Sequence, residues 1–304
     1  MDQPGQAVRP VSRAVHATVG AGVGPHRHAA QDEGSVCRDG RGLPARDAHV
    51  GGTHMNVTVI IPARDEAHNI VDCLESVAWA DRRVVFLDSR TTDRTPNLAR
   101  EAGAQVLIHD FENFAQFHNA AMERVEADWI LFVDADERAT LALAEEIRAV
   151  TDGSREEVAW AVPRHNYIFG RLTLGAGWYP DYQSRLLLRD RVRWERAVHE
   201  VIVTDGPRGC LENPLIHYNY DDLPDFVARQ EKYSSVDAGI LFQEGVRPRF
   251  YTPYSQAARH FWWRFVTLRG ARDGLHGLRL SLLMAYYEAV KYRKLARLWG
   301  EENG

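Results

Sequence analysis

Three carboxylates gather at the end of one apolar run: Trp129-Ile-Leu-Phe-Val-Asp134-Ala-Asp136-Glu137. Asp134 and Asp136 stand two apart and repel each other unless a hard cation lies between them. Mg²⁺ or Mn²⁺ takes one or two carboxylates and completes its shell with water and phosphate oxygens. The pattern therefore points to a metal-bridged nucleoside diphosphate. A solvated turn after a core strand is the plain alternative. The run before the carboxylates has the composition of a buried strand. Open α/β sheets hold their ligands at the carboxyl ends of such strands.

The elements that must position these groups can be read on either side. Val57-Thr-Val-Ile-Ile-Pro62-Ala63-Arg64-Asp65-Glu66 is a second apolar strand closed by a proline and carboxylates. Ile70, Cys73, Leu74, Val77 and Ala78 follow at helical spacing. Arg83-Val-Val-Phe-Leu-Asp88 is another buried strand ending in an aspartate, and Ser89 to Thr95 is a polar turn into a helix that Gly103 stops. Gln105 to His109 is a short strand, and Asn113 to Met122 reads as a helix with Phe114, Phe117 and Ala121 inward. This β-α-β-α-β alternation predicts a parallel sheet with right-handed crossovers. Asp65/Glu66, Asp88 and Asp134/Asp136 then share one sheet edge.

With those residues in hand the chain resembles glycosyltransferase family 2, over roughly residues 55–220 and with the motifs in family order. Gly177-Trp-Tyr-Pro-Asp181-Tyr-Gln-Ser-Arg185-Leu, Trp194-Glu-Arg-Ala-Val-His199-Glu200 and Pro214-Leu-Ile-His217-Tyr are similar to the lipopolysaccharide-core β-glucosyltransferase branch. The resemblance implies an α/β type A glycosyltransferase fold: a Rossmann-like, mostly parallel sheet flanked by helices. It implies Pro62, Ala63 and Glu66 around the base and ribose, Asp88 facing the base, Asn119 near the nucleotide, and Asp134 on the ribose or a metal-bound water. Asp136 would hold Mg²⁺ or Mn²⁺ against the diphosphate. Asp181 is the first candidate for the general base that takes the acceptor proton, and Glu200 the second. His199 or His217 would complete the metal shell or serve as hydrogen-bonded core residues. One base and no covalent intermediate imply inversion.

Three positions are less settled. Asp93 either contacts the nucleotide or caps the helix behind it. His118 stands where many relatives carry a basic residue. Arg90-Thr91-Thr92 replaces the family's usual Gly-Ser-Thr, so the Arg90 guanidinium either approaches the donor phosphates or points to solvent, with solvent favoured.

The 304 residues carry a formal net charge of −5, which argues against a nucleic-acid partner. Three cysteines (Cys37, Cys73, Cys210) have no metal spacing and suggest no disulfide framework, so a reducing cytoplasm is the expected compartment. No run of eighteen apolar residues predicts a membrane span. Residues 1–54 hold no Phe, Trp or Tyr and are expected to be disordered, with translation starting at Met55. After residue 220 the composition turns to helices. Asp221-Asp222-Leu-Pro-Asp opens one. Arg259 to Arg269 and Leu278 to Lys294 look like amphipathic helices rich in aromatic and basic residues, suited to a membrane surface.

Residues 55–220 are thus expected to form the catalytic domain and 221–304 a helical appendage. The expected activity moves a hexose, glucose from UDP-glucose foremost, onto a lipopolysaccharide-core, related glycolipid or oligosaccharide acceptor. The enzyme would work in the cytoplasm, at the inner membrane face. A nucleotidyltransferase would use similar carboxylates but calls for a Gly-rich basic loop where Pro62-Ala-Arg-Asp-Glu stands. A non-catalytic sugar-nucleotide-binding protein is the other alternative, and intact Asp134, Asp136 and Asp181 argue against it.

Overall fold

The computed structural model describes residue 37 and residues 55–152, 155–196 and 201–302. Apart from Cys37, the expectations for residues 1–54 lie outside the described residues.

Four strands run parallel in the order β3-β2-β1-β4. They are β1 (Val57–Ala63), β2 (Arg82–Asp88), β3 (Gln105–His109) and β4 (Trp129–Phe132). Side chains alternate across a strand, so one run feeds two cores. Val59, Ile61 and Ala63 pack with Ile70, Cys73 and Leu74 of α1 (Ile70–Ser76) and Leu143 and Ile147 of α4 (Leu141–Val150). Ile60 packs on the opposite face with Phe117 and Ala121 of α3 (Phe114–Glu123). Burial on both faces explains the unbroken apolar runs. Between β2 and β3 lies α2 (Thr95–Glu101), and Gly103 follows with φ +78°, a backbone region that favours glycine.

The sheet continues past β4 as β8-β6-β12-β5, where parallel and antiparallel pairings mix. These strands are β5 (Glu137–Ala139), β6 (Ala159–Ile168), β8 (Tyr182–Leu188) and β12 (Leu215–Tyr220). β8 is antiparallel to both β4 and β6, β12 is parallel to β6, and β5 is antiparallel to β12. Short β7 (Arg171–Leu172) and β11 (Arg208–Cys210) also pair with β6, while β9 (Val192–Glu195) and β10 (Val201–Thr204) form a separate ribbon. The sequence reading expected unbridged cysteines, and the structure corrects it: Cys37 is disulfide-bonded to Cys210, 173 positions away. Spacing cannot signal a pair that distant. Cys73 stays free and buried.

Three long helices close the chain: α5 (Leu223–Gln243), α6 (Thr252–Trp262) and α7 (Gly274–Glu302). The Asp222 side chain caps α5 by accepting from the Asp225 N–H at 2.9 Å. The helix expected over Arg259 to Arg269 divides: α6 ends at Trp262, and a wider π turn spans Trp263–Thr267. Fully buried Arg264 enters the core in that turn. Its Nη1 donates to the Ala176 carbonyl at 2.6 Å and its Nε to His260 Nε2 at 2.7 Å. Ile168, Ala176, Trp178 and Tyr220 share one apolar core with Phe226, Leu280, Met284 and Tyr287, so the helices and the sheet are welded together. Among the described residues, no helix is long and apolar enough to cross a membrane.

Candidate active site

The ends of β1, β2 and β4 set the frame. Val133 still donates to the Ile60 carbonyl (3.1 Å), so the chain leaves the sheet at Asp134. It turns at once: the Glu137 N–H donates to the Asp134 carbonyl at 2.9 Å, and the Asp134 N–H donates to Glu137 Oε2 at 3.0 Å. Glu137, the third carboxylate of the run, therefore holds the turn that displays the other two.

Two arginines from the mixed half of the sheet reach under this turn. Arg185 on β8 donates to Glu137 Oε1 at 2.9 Å and to both oxygens of Asp134, one at 3.2 Å and one in a very short contact with Oδ2. Arg164 on β6 lies 3.3 Å from Glu137 Oε1 and 2.7 Å from Asp181 Oδ2. Glu137 is fully buried and Arg164 is 3 % exposed. A charge so deep persists only when paired. Burial works to raise the Asp134 pKa, but the charge and hydrogen bonds of Arg185 outweigh it and bring it to about 2. Burial also pushes Asp181 upward, and Arg164 with Asn166 outweighs that, leaving its carboxyl below the usual range. For Glu137 burial wins and the shift is upward.

Asp181 immediately precedes β8 and is held from three sides. Its Oδ2 accepts from Arg164 Nε (2.9 Å) and Asn166 Nδ2 (3.0 Å), and its Oδ1 accepts from Gln183 Nε2 (3.0 Å). Oδ1 is thus the less committed oxygen. The Asn166 amide is oriented by its own bonds: Nδ2 donates to the Trp178 carbonyl at 2.9 Å, and Oδ1 accepts from Asn219 Nδ2 at 3.1 Å. His217 Nδ1 lies 2.7 Å from that same Oδ1, so Nδ1 carries a proton. Register brings His217 there, since on β12 it stands opposite both Glu137 and Asn166.

His217 Nε2 faces Asp136 Oδ2 across 3.4 Å. A cation between them or a proton on Nε2 would satisfy both groups. Oxygen and imidazole nitrogen suit a divalent ion. Asp134, Glu137 and Asp181 are paired with Arg185 and Arg164, and Arg229 acts on Asp136 from nearby. Among the described residues no group of three His, Cys, Asp or Glu could hold a metal unaided. Asp136 and His217 could supply part of a divalent ion's shell, which phosphate and water would complete.

The ends of β1 and β2, expected to border a nucleoside, are occupied differently from expectation. Arg90 does not point to solvent. Its Nε and Nη2 grip Asp88 at 2.9 Å and 2.6 Å, and its guanidinium lies 5.3 Å from the centre of the Phe111 ring. Arg64 Nη1 is 3.8 Å from the same carboxylate. Pro62 and Ala63 end β1 beside this cluster, in register with Phe86 and Leu87. Asp93 braces the loop, with its oxygens accepting the N–H groups of Thr95 and Ala67 at 2.9 Å each. Burial raises the Glu66 pKa, and Asp136 adds to the shift from nearby. Asn119 spends its amide on the Trp194 backbone, donating at 2.8 Å and accepting at 2.9 Å. His118 stacks on Trp194 with centroids 4.6 Å apart, and burial pushes its pKa down to about 4. Glu200 and His199 lie outside the described residues.

The model of the family described as "Glycosyl transferase family 2" matches residues 58–191. The lipopolysaccharide core biosynthesis glycosyltransferase LpsC of Rhizobium meliloti is 30% identical over 205 residues, covering 63% of this chain and 73% of LpsC. The chain belongs to glycosyltransferase family 2. An uncharacterized glycosyltransferase of Rickettsia bellii is 23% identical over 257 residues, covering 80% of this chain and 86% of its own. A mannosyltransferase structure from Pyrobaculum calidifontis is similar at 14% identity and a TM-score of 0.48, covering 84% of this chain and 91% of that one. This family 2 glycosyltransferase has the type A architecture: a mixed, mostly parallel sheet flanked by helices, with C-terminal helices appended.

Several residues of the glycosyltransferase site were not singled out in the sequence. Glu137 and Arg185 were visible only as parts of motifs, and Arg164 and Asn166 carried no signal. Their roles come from burial and register, which bring β5, β6, β8 and β12 side by side. Arg229 on α5 is another: it bonds Asp225 at 2.8 Å and lies close enough to Asp136 and Glu66 to act on their charges.

Proposed function

We propose that this glycosyltransferase moves a hexose, glucose from UDP-glucose foremost, onto a lipopolysaccharide-core or related glycolipid acceptor with inversion at the sugar carbon. The observation that carries the proposal is the pairing of two prepared groups. One is a locked carboxylate, Asp181, with Oδ1 the less committed oxygen. The other is the Asp136–His217 pair, face to face across 3.4 Å.

Asp136 and His217 would hold Mg²⁺ or Mn²⁺. The bound ion supplies neutralisation of the charge that develops on the departing nucleoside diphosphate. Asp134, kept ionised by Arg185, is the acceptor for a ribose hydroxyl or a metal-bound water. Asp181 Oδ1 takes the proton of the attacking hydroxyl, and Arg164 keeps the carboxylate aimed while it does so. Pro62, Ala63, Glu66 and Asn119 border the nucleoside. Asp88 meets the base with Arg90 already against it. The name of the Rhizobium relative supports the acceptor class, and a glycolipid acceptor calls for work at a membrane surface.

A thermal-shift series tests this on wild type, Asp136→Ala and Asp181→Asn, with UDP or UDP-glucose and with or without Mn²⁺. A nucleotide at a hundredfold over its dissociation constant should add about 2.7 kcal/mol of stability. The expected result is metal-dependent stabilisation in wild type and Asp181→Asn but not in Asp136→Ala, with transfer lowered about 10²- to 10⁴-fold in Asp181→Asn. Retained transfer in Asp181→Asn would move the base to Glu200. No stabilisation by UDP or UDP-glucose would refute the donor assignment.

A further inference from the structure

Helix α7 spans 29 residues, about 43 Å at the usual rise. One of its faces packs on α5, α6 and the sheet through Leu280, Met284, Tyr287 and Leu295. The opposite line is largely open to solvent. Leu275, Arg279, Leu282, Tyr286, Arg293 and Arg297 recur at steps of three, four or seven, which puts them on one face. All six are exposed. Leu275 is 83 % exposed, Leu282 53 % and Tyr286 55 %. With Leu278, Arg279 and Leu283 they line a shallow open groove. Tyr254 of α6 joins the same surface, because the Arg293 guanidinium lies 5.7 Å from its ring centre.

Charge says what this face fits. Residues 247–300 hold eleven Lys and Arg against two acidic residues, within a chain whose net charge is −5. Both acids are spent inside the protein. Asp273 accepts from the Gly175 N–H at 2.7 Å, and buried Glu288 pairs with Lys291 at 2.8 Å. Arg279, Arg293 and Arg297 form no ion pair among the described residues. Arg279 instead lies over Phe169, 4.6 Å from the ring centre. The face is a lengthwise apolar line with cations interleaved and no exposed acid between residues 274 and 300. Arg and Tyr also occur at protein interfaces, so what favours an anionic surface is that no exposed acid interrupts the face. A bilayer takes both features at once: Leu and Tyr enter the headgroup boundary while Arg side chains stay at the phosphates.

We infer that the Leu275–Leu282–Tyr286 face of α7, with Tyr254 and the flanking arginines, is a docking surface for an anionic lipid bilayer, on which α7 lies flat. This deepens the glycolipid-acceptor proposal and rests on it for its purpose. The surface itself is tested without any acceptor. Lengthwise contact would hold the site over the membrane at a fixed tilt, where a lipid-borne hydroxyl is met in two dimensions.

The test is co-sedimentation of the full chain with vesicles of phosphatidylcholine alone, or with about one third phosphatidylglycerol. Wild type is compared with Leu282→Asp/Tyr286→Asp and with Arg279→Gln/Arg293→Gln. UDP thermal shifts are measured on the same samples. Wild type should bind the anionic vesicles and release them at high salt. Each arginine removed should cost roughly fivefold in binding, and the Asp pair should cost about a hundredfold or more. UDP stabilisation should not change in any of them. The inference falls if wild type ignores anionic vesicles or if neither double variant weakens binding. It also falls if wild type is a dimer in solution that the Asp pair makes monomeric. Vesicle binding without UDP stabilisation would refute the donor reading and leave the docking surface standing. UDP stabilisation without vesicle binding would do the reverse.

Discussion

Replacing His260 by glutamine should flatten part of the protein's acid sensitivity, by an amount the structure allows to be worked out. His260 is 6 % exposed, and its Nε2 accepts from Arg264 Nε at 2.7 Å, so the folded ring is neutral. Burial, reinforced by the charges of Arg264, Lys291 and Arg259, pushes its pKa from 6.5 down to about 3. Glu288 Oε2, 3.9 Å from Nδ1, is the facing carboxylate, and Lys291 already holds it. In the unfolded chain the ring titrates near 6.5. Below that pH the unfolded state takes a proton that the folded state refuses, so stability is full above pH 6.5 and drains away as pH falls towards 3. At pH 5 the gap of 1.5 units below the unfolded pKa amounts to about 2 kcal/mol. His260→Gln keeps an acceptor for Arg264 and removes the titration. The assay is urea unfolding of both proteins at pH 7 and pH 5. Carboxylates such as Glu66 titrate alike in both, so the difference isolates His260. Wild type should lose about 2 kcal/mol more than the variant between the two pH values. Parallel pH profiles would show that His260 is not held neutral by burial and Arg264.

Two more substitutions probe the site's support and the helix seam. Arg185→Met leaves Asp134 unpaired and fully buried Glu137 with Arg164 alone, so unfolding free energy should drop by about 3–5 kcal/mol. Adding Glu137→Gln should restore part of that loss, and a drop below about 1 kcal/mol for Arg185→Met would mean the pair is screened like a surface bridge. At Gly277, a Cβ would collide with the Gly270 carbonyl, a backbone atom that cannot swing aside, so Gly277→Ala should cost about 1–3 kcal/mol. Gly239 on α5 meets open space, so Gly239→Ala should instead gain up to about 1 kcal/mol. Equal melting shifts for the two alanines would remove the steric argument.

The parallel half of the molecule was legible because β1, β2 and β4 are buried on both faces and write that burial as unbroken apolar runs. The carboxylates at their ends followed from the same pattern. The mixed half was not legible, for two reasons. β5 has three residues and β12 mixes His217, Tyr218 and Asn219 into its run, so neither shows a clear period. Arg164 and Glu137 are charged residues in the deepest layer, against every burial preference, and only their contacts with each other, Asp181 and Arg185 explain them. Arg90 shows another limit. A sequence shows that a charge has replaced a glycine, but not that it folds back two residues onto Asp88. The Cys37–Cys210 bridge is a contact between segments with no local link at all.

The segment leading into Asp181 is fastened in part from the far end of the chain. Asp273 accepts the Gly175 N–H at 2.7 Å, Thr173 Oγ1 meets His276 Nε2 at 3.0 Å, and Arg264 takes the Ala176 carbonyl at 2.6 Å. Gly175 and Gly177 leave no room for a Cβ against Arg269 and Leu268. A chimera that exchanged the last eighty residues with those of a relative would therefore also lose the contacts that seat residues 173–177, so such a swap has to carry residues 173–181 along with the helices.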